Sequence, residues 1–214
     1  LILTALTIGE NMFVAQYYGK KDFGGVRISA GLVLTYVLWV SMVFWGITFF
    51  APRTLIQLFT NDITLICYGE KYLRLIGLSY VFSGVLQVLQ GILKNCGHVG
   101  KCTFVSVVVV CLNVVLNAIF IYGYLGFSRM EIAGAALATV LANGIGLVIT
   151  VYMLRRKKEL CIGLEDIKCR EPNITKKFWK HVYPVLFNEI VWGGGFTRYS
   201  VILGHLGSDA VAAK

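Results

Sequence analysis

An all-α bundle of membrane-spanning helices is the fold class that three features of the sequence predict. Hydrophobic residues make up 57% of the chain and charged residues 14%, with mean hydropathy +0.73, whereas a soluble domain carries about a quarter charged residues. Four runs, Ile28–Phe50, Leu75–Leu93, Cys102–Phe127 and Ile132–Leu154, hold no Asp, Glu, Lys or Arg. Each approaches or exceeds the ~20 residues that a helix rising ~1.5 Å per residue needs to cross ~30 Å of hydrocarbon. Finally, Lys and Arg concentrate at alternate junctions between the apolar runs, as a bundle of alternating direction requires. Backbone groups in lipid must be satisfied within the segment, so the runs are helices and not isolated strands.

Six spans are predicted. The first runs from Leu1 to about Tyr18. It opens inside an apolar stretch with no initiator Met and no charged leader, so the chain reads as a fragment of a longer protein with no signal peptide. The second covers about Val26–Phe50 and the third about Tyr72–Leu93. The fourth covers about Cys102–Tyr124, the fifth Ile132–Leu154 and the sixth Val182–Leu203.

The junctions carry the charge test. Lys20, Lys21 and Arg27 follow the first span, while Arg53 is offset by Asp62, and Lys71 by Glu70, before the third. Lys94 and Lys101, with His98, follow the third; Arg129 and Glu131 precede the fifth; and Arg155 to Lys180 is dense in Lys and Arg. Basic excess thus alternates, placing the first, third and fifth junctions in the cytoplasm. The formal charge of +9 follows from this topology, and no nucleic-acid partner is expected. The last junction is polar, holds Pro172 and Asn173, and reads as a joint between two membrane units. The expected organisation is residues 1–154 as membrane helices, 155–179 as a cytoplasmic linker and 180–214 as the first helix of a second unit. Lys176–Trp179 reads as an amphipathic piece at the interface.

Other residue types give weaker signals. The six cysteines, Cys67, Cys96, Cys102, Cys111, Cys161 and Cys169, form no CxxC and lack His at ligand spacing, so free thiols are expected. Gly134, Ala135, Ala138, Gly144 and Gly146 give the fifth span a small-residue packing face. Gly193-Gly194-Gly195 is not a phosphate loop, and the absence of nucleophile–base and metal motifs argues against an enzyme. Arg198 is expected to snorkel, and His98, His181 and His205 to be structural or solvated.

Carboxylates within spans stand out, because charge at the bilayer centre costs roughly 2.5–3.5 kcal/mol on insertion scales. Glu189 lies about two turns into the sixth span, after Pro184, which can break or kink a helix, with Trp192 three residues on. It suits a group that binds a coupling proton, Na⁺ or a cationic solute by turns, or a structural carboxyl paired across helices. Glu10, beside Asn11 in the first span, is open between the same roles. Asn113 and Asn117 share one helix face. Gln87 and Gln90 either line a cavity or bond across helices.

Motifs now accumulate in order. Val14-Ala15-Gln16-Tyr17-Tyr18-Gly19-Lys20-Lys21-Asp22 resembles the VAQ-x-x-G-x-x-(D/N) signature of multidrug and toxic compound extrusion (MATE) transporters. Tyr72-Leu73-Arg74-Leu75-Ile76-Gly77 and Gln90-Gly91-Ile92-Leu93-Lys94-Asn95-Cys96-Gly97 are similar to that family's fourth helix, with Lys94 where Arg is usual. Asn113-Val114-Val115-Leu116-Asn117 with Ile121-Tyr122-Gly123 resembles the fifth helix, and Ile132-Ala133-Gly134-Ala135-Ala136-Leu137-Ala138-Thr139 the sixth. Pro184, Glu189, Leu203-Gly204, Leu206-Gly207 and Ala210–Ala213 resemble the seventh. The similarity spans nearly the whole chain and about half of a full family member, its second to seventh helices of twelve.

The resemblance implies two six-helix lobes around a cavity and secondary active efflux, by alternating access, of amphipathic, cationic organic substrates in exchange for H⁺ or Na⁺. It implies a multi-pass protein of the plasma or inner membrane, monomeric at full length and without an organic cofactor. Glu189, Asn113, Asn117 and Thr139 would serve ion coupling; Glu10, Gln87, Gln90 and Trp192 would line the substrate cavity; and Gln16, Gly19, Gly134 and Pro184 would be structural. Na⁺ is the one metal ion this pattern admits. Rival readings are a lipid-linked oligosaccharide flippase of related fold, which would want Arg and Lys in mid-membrane where the second to fifth spans have almost none, and an uncoupled channel or scaffold.

Overall fold

The computed structural model describes residues 1–57, 63–123, 130–157, 160, 162–168 and 171–206, without side-chain detail at 131, 164, 168 and 200–206. Among these residues the chain forms α1 (Ile2–Gly19), α2 (Phe23–Phe50), α3 (Pro52–Gln57), α4 (Ile63–Asn95), α5 (Val99–Tyr122), α6 (Glu131–Arg155), α7 (Leu164–Lys168) and α8 (Pro172–Leu206). Asp62, Arg129, Cys161, Cys169, Gly207 and Ala210–Ala213 lie outside the described residues. α2, α4, α5 and α6 are long and apolar enough to cross a membrane.

Local chemistry explains the joints. After α1, Lys21 adopts the left-handed region at φ 59°. The amide of Asp22 donates to the Tyr17 carbonyl at 3.0 Å and that of Lys21 to Tyr18 at 2.9 Å, closing the helix as a Schellman motif. Asp22 then caps α2, its side chain accepting from the Gly25 amide at 2.9 Å, which satisfies an orphan donor of the first turn. The end of α4 repeats the motif with Gly97 at φ 79° and the His98 amide on the Leu93 carbonyl at 2.8 Å. Gly123, φ 74°, closes α5.

α4 and α8 are longer than their apolar runs. α4 begins at Ile63, not near Tyr72, and takes in Glu70, Lys71 and Arg74. Arg74 pairs with Glu70 at 2.8 Å one turn away, a spacing that supports a helix in water as well as in lipid. α8 begins at Pro172, not near Val182, and continues through Pro184. A proline in the first turn loses no intrahelical bond. Lys176–Trp179 therefore belongs to the early turns of α8 and is no separate interfacial helix.

α4 is central, packing against α1, α2, α5 and α6, while α1 also packs on α2 and α8, and α7 on α2. One buried cluster joins Leu6 and Phe13 of α1, Val33 and Val37 of α2, Val88 of α4, and Phe178 and Val182 of α8. A second joins Val14, Val26, Leu89, Leu93, Cys96, Leu154 and Leu160. It gathers the ends of α1, α4 and α6 and the start of α2 at one pole, the pole that the basic junctions mark. On α5, Val107, Val110, Val114 and Val115 remain more than half exposed, an apolar belt suited to lipid.

Glycines set the closest approaches. A Cβ added at Gly134 would stand 2.8 Å from the Phe120 Cβ and 2.9 Å from its carbonyl carbon. One added at Gly9 would overlap Val182. The bundle is held by small residues in contact, as expected where lipid offers no hydrophobic contrast.

Candidate functional site

Two polar groupings and one large apolar cavity lie among the helices. The first joins α5 to α6. Asn113 Nδ2 donates to Thr139 Oγ1 at 3.2 Å, and Asn117 Nδ2 to Asn113 Oδ1 at 2.9 Å. Thr139 Oγ1 donates to the Ala135 carbonyl at 3.0 Å. Asn117 Oδ1 is buried without a partner, leaving one oxygen for a donor or a cation. The sequence places Asn113 and Asn117 one turn apart; the Gly134–Phe120 contact brings Thr139 opposite them.

The second grouping joins α1 to α4. Asn95 Nδ2 donates to Asn11 Oδ1 at 2.6 Å and to the Gly91 carbonyl at 2.8 Å. Glu10 beside them is fully buried, and neither carboxyl oxygen has a partner. It is not among the lining residues of the two cavities described below and is enclosed between α1 and α4. The reason is the glycine at 91, which lets α4 close over the carboxyl.

The third feature is the cavity itself. It has a volume of about 900 Å³ and opens between α1, α2, α4 and α8, its walls including Phe44, Tyr72, Tyr80, Ile190, Gly193 and Thr197. Ile190, Gly193, Gly194 and Thr197 follow helical spacing and present one face of α8 to it. Glu189, partly buried, sits at the margin of that face and makes no hydrogen bond or ion pair among the described residues. A Cβ added at Gly193 would overlap the tip of the Leu1 side chain, just before α1.

The remaining expected residues are dispersed. Trp192 is 66% exposed and stacks on Phe196 with ring centroids 5.6 Å apart. Gln87 is exposed and Gln90 half-buried; Gln16 and Gly19 are exposed near the basic pole, and Pro184 is exposed within α8. Among the described residues no group of three His, Cys, Asp or Glu could hold a metal ion.

Sequence reasoning missed Ser41, whose buried, unpartnered Oγ borders the cavity, and the contact of Asn11 with Asn95. No spacing rule links residues so distant in the chain. A smaller cavity, about 400 Å³, lies at the basic pole between Tyr17, Asp22, Glu171 and Lys177.

Comparison with known proteins gives one consistent picture. The family model described as MatE matches residues 1–119. The chain is 19% identical over 214 residues to YisQ, an uncharacterized transporter of Bacillus subtilis, covering 100% of this chain and 47% of that protein. It is 23% identical over 215 residues to the probable multidrug resistance protein NorM of Agrobacterium fabrum, covering 94% of this chain and 43% of NorM. The chain thus spans about half the length of the curated relatives it matches. A solved inward-facing multidrug resistance MATE transporter of the MOP superfamily superposes with TM-score 0.75 at 23% identity, over 86% of this chain and 41% of that one. An outward-facing form superposes with TM-score 0.77 at 23% identity, over 88% and 41%.

Proposed function

The chain belongs to the MatE family, and from that premise we propose that the whole protein is a secondary active exporter that exchanges amphipathic, cationic organic molecules for H⁺ or Na⁺. The observation that carries the proposal is Glu189, a partly buried carboxylate on α8 next to Ile190 and one turn from Gly193, both of which line a large apolar cavity; we read it as lying within the membrane. An acid in that position is costly unless a cation visits it. The same carboxylate suits a coupling ion and an organic cation alternately, so entry of one displaces the other. Exchange by turns is then competition at one site.

Alternating access would come from two lobes rocking about this site. α1–α6 would supply most of the first lobe, residues 155–179 the cytoplasmic connection, and 180–214 the opening helix of the second. The similar superposition on inward- and outward-facing relatives supports a unit whose internal packing survives the swing. Asn113, Asn117 and Thr139 would serve as a neutral oxygen-rich station for the ion. Aromatic walls such as Tyr72 and Tyr80 suit a flat cationic substrate. The protein would work in the plasma membrane as a monomer.

Glu189→Gln in the full-length protein tests the proposal, with ion-gradient-driven dye efflux measured in membrane vesicles. Membrane insertion should be intact and driven efflux should fall at least tenfold. Unchanged efflux at equal protein level removes the coupling role from Glu189.

A further inference from the structure

Glu10 has a role in this molecule that the transport reading leaves open. Its carboxyl is fully buried between α1 and α4, and no hydrogen-bond donor reaches either oxygen among the described residues. A Cβ added at Gly91 would stand 2.8 Å from Asn11 Oδ1, 3.2 Å from Glu10 Oε2 and 3.4 Å from Glu10 Oε1. Three side-chain oxygens thus crowd one face of one glycine. The Asn95 amide nitrogen is engaged by Asn11 Oδ1 and the Gly91 carbonyl, and no donor is recorded on either Glu10 oxygen. Oxygens crowded in a dry place repel unless something positive sits among them.

The charged groups of the surrounding elements do not supply it. On α1, the next ionisable side chains are Tyr17, Tyr18 and Lys20, beyond the buried turn. α2 offers Arg27 at its start, whose Nε is itself buried and unpartnered, and then no charged residue up to Phe50. α4 carries Lys94 near its end and is followed by Cys96, the thiol whose charge would feel Glu10. α8 brings His181, whose ring lies 5.8 Å from that of Phe13, one turn along α1. None pairs with Glu10: the one ion pair among the described residues joins Arg74 to Glu70. A residue with no accessible surface also leaves no face on which a further helix could set a cation.

We infer that Glu10 is a proton-binding site, held as the neutral acid where α1 meets α4 and distinct from Glu189. The bound species is a proton and not a metal ion because the carboxyl is fully enclosed by protein, whereas an alkali cation needs room and several oxygens. The step is simple: a proton bonds to one carboxylate oxygen, the charge vanishes, and α4 closes through Gly91. Loss of the proton restores a charge with no partner and forces the α1–α4 contact apart. Glu189 stands roughly two helical turns further along α8 than the residues that pack against this part of α1, so the two acids are separate stations.

The test reads protonation and not transport, so it stands or falls independently of the efflux proposal. Infrared spectra of the full-length protein in lipid are recorded along a pH titration for wild type, Glu10→Gln and Glu10→Asp. Wild type should show a neutral-carboxyl band at neutral pH that Glu10→Gln removes and Glu10→Asp shifts. Should Glu10→Gln not fold, the shifted band of Glu10→Asp decides. A carboxyl region untouched by both substitutions overturns the inference. So does a band abolished by Na⁺ at constant pH, which would make the site a metal-ion site.

Discussion

Two glycines of α6 should respond to alanine with opposite sign. At Gly134 the added Cβ would lie 2.8 Å from the Phe120 Cβ and 2.9 Å from its carbonyl carbon. Carbon atoms rest at about 3.5–4.0 Å, so α5 and α6 must part by about 0.7–1 Å. Backbone cannot rotate away as a side-chain tip can, and overpacking of this kind costs about 1–3 kcal/mol. The displacement also reaches Asn113 and Thr139 on the same antiparallel seam. Their hydrogen bond, 3.2 Å long, would stretch beyond bonding distance, with a further loss of about 0.6 kcal/mol typical between membrane helices. Gly134→Ala should therefore destabilise by about 2–3 kcal/mol. At Gly144 an added Cβ meets nothing within 4 Å, and alanine there gains up to about 1 kcal/mol of helix propensity. Equilibrium unfolding of both variants in mixed micelles measures the contrast. If Gly134→Ala is as stable as Gly144→Ala, the close-contact account of the α5–α6 seam is wrong.

Three further outcomes follow from the joints and the core. Lys21→Gly removes the left-handed strain at φ 59° and should stabilise by about 0.5–1 kcal/mol, seen as a higher Tm. Tyr36→Phe deletes the acceptor of the Trp179 Nε1 hydrogen bond, 3.2 Å, and should cost about 1 kcal/mol by the same assay. Burial pushes the Cys96 thiol, in the turn after α4, well up. The thiolate is the reactive form, so maleimide labelling of Cys96 should be slow at neutral pH and quicken about tenfold per pH unit, while exposed Cys67 labels readily; equal rates would refute the burial.

The spans were legible where solvation alone decides them. α2, α5 and α6 end within a few residues of their uncharged runs, because charge is what the hydrocarbon refuses. α4 and α8 outran their runs for the converse reason: Arg74 with Glu70, and Lys176 to Lys180, are compatible with helix once the chain has left the bilayer, and hydropathy is silent there. α3 and α7 were invisible, being too short for a periodic signal. Among the polar groupings, Asn113 with Asn117 follows from helical spacing, whereas their meeting with Thr139 rested on resemblance. Glu10 was noticed as an oddity, but its enclosure depends on Gly91, whose role becomes visible only when α1 and α4 are side by side.

α8 runs without interruption from Pro172 to Leu206, a rod of roughly 50 Å at ~1.5 Å per residue. Its near end stacks Phe178 on Tyr36 and sets Trp179 edge-on to the same ring, and its far half flanks the cavity. A stiff strut clamped at one end acts as a lever. A few degrees of tilt about the aromatic clamp would sweep the Glu189 region by an ångström or more, so the basic linker and the membrane interior are joined mechanically as well as by sequence.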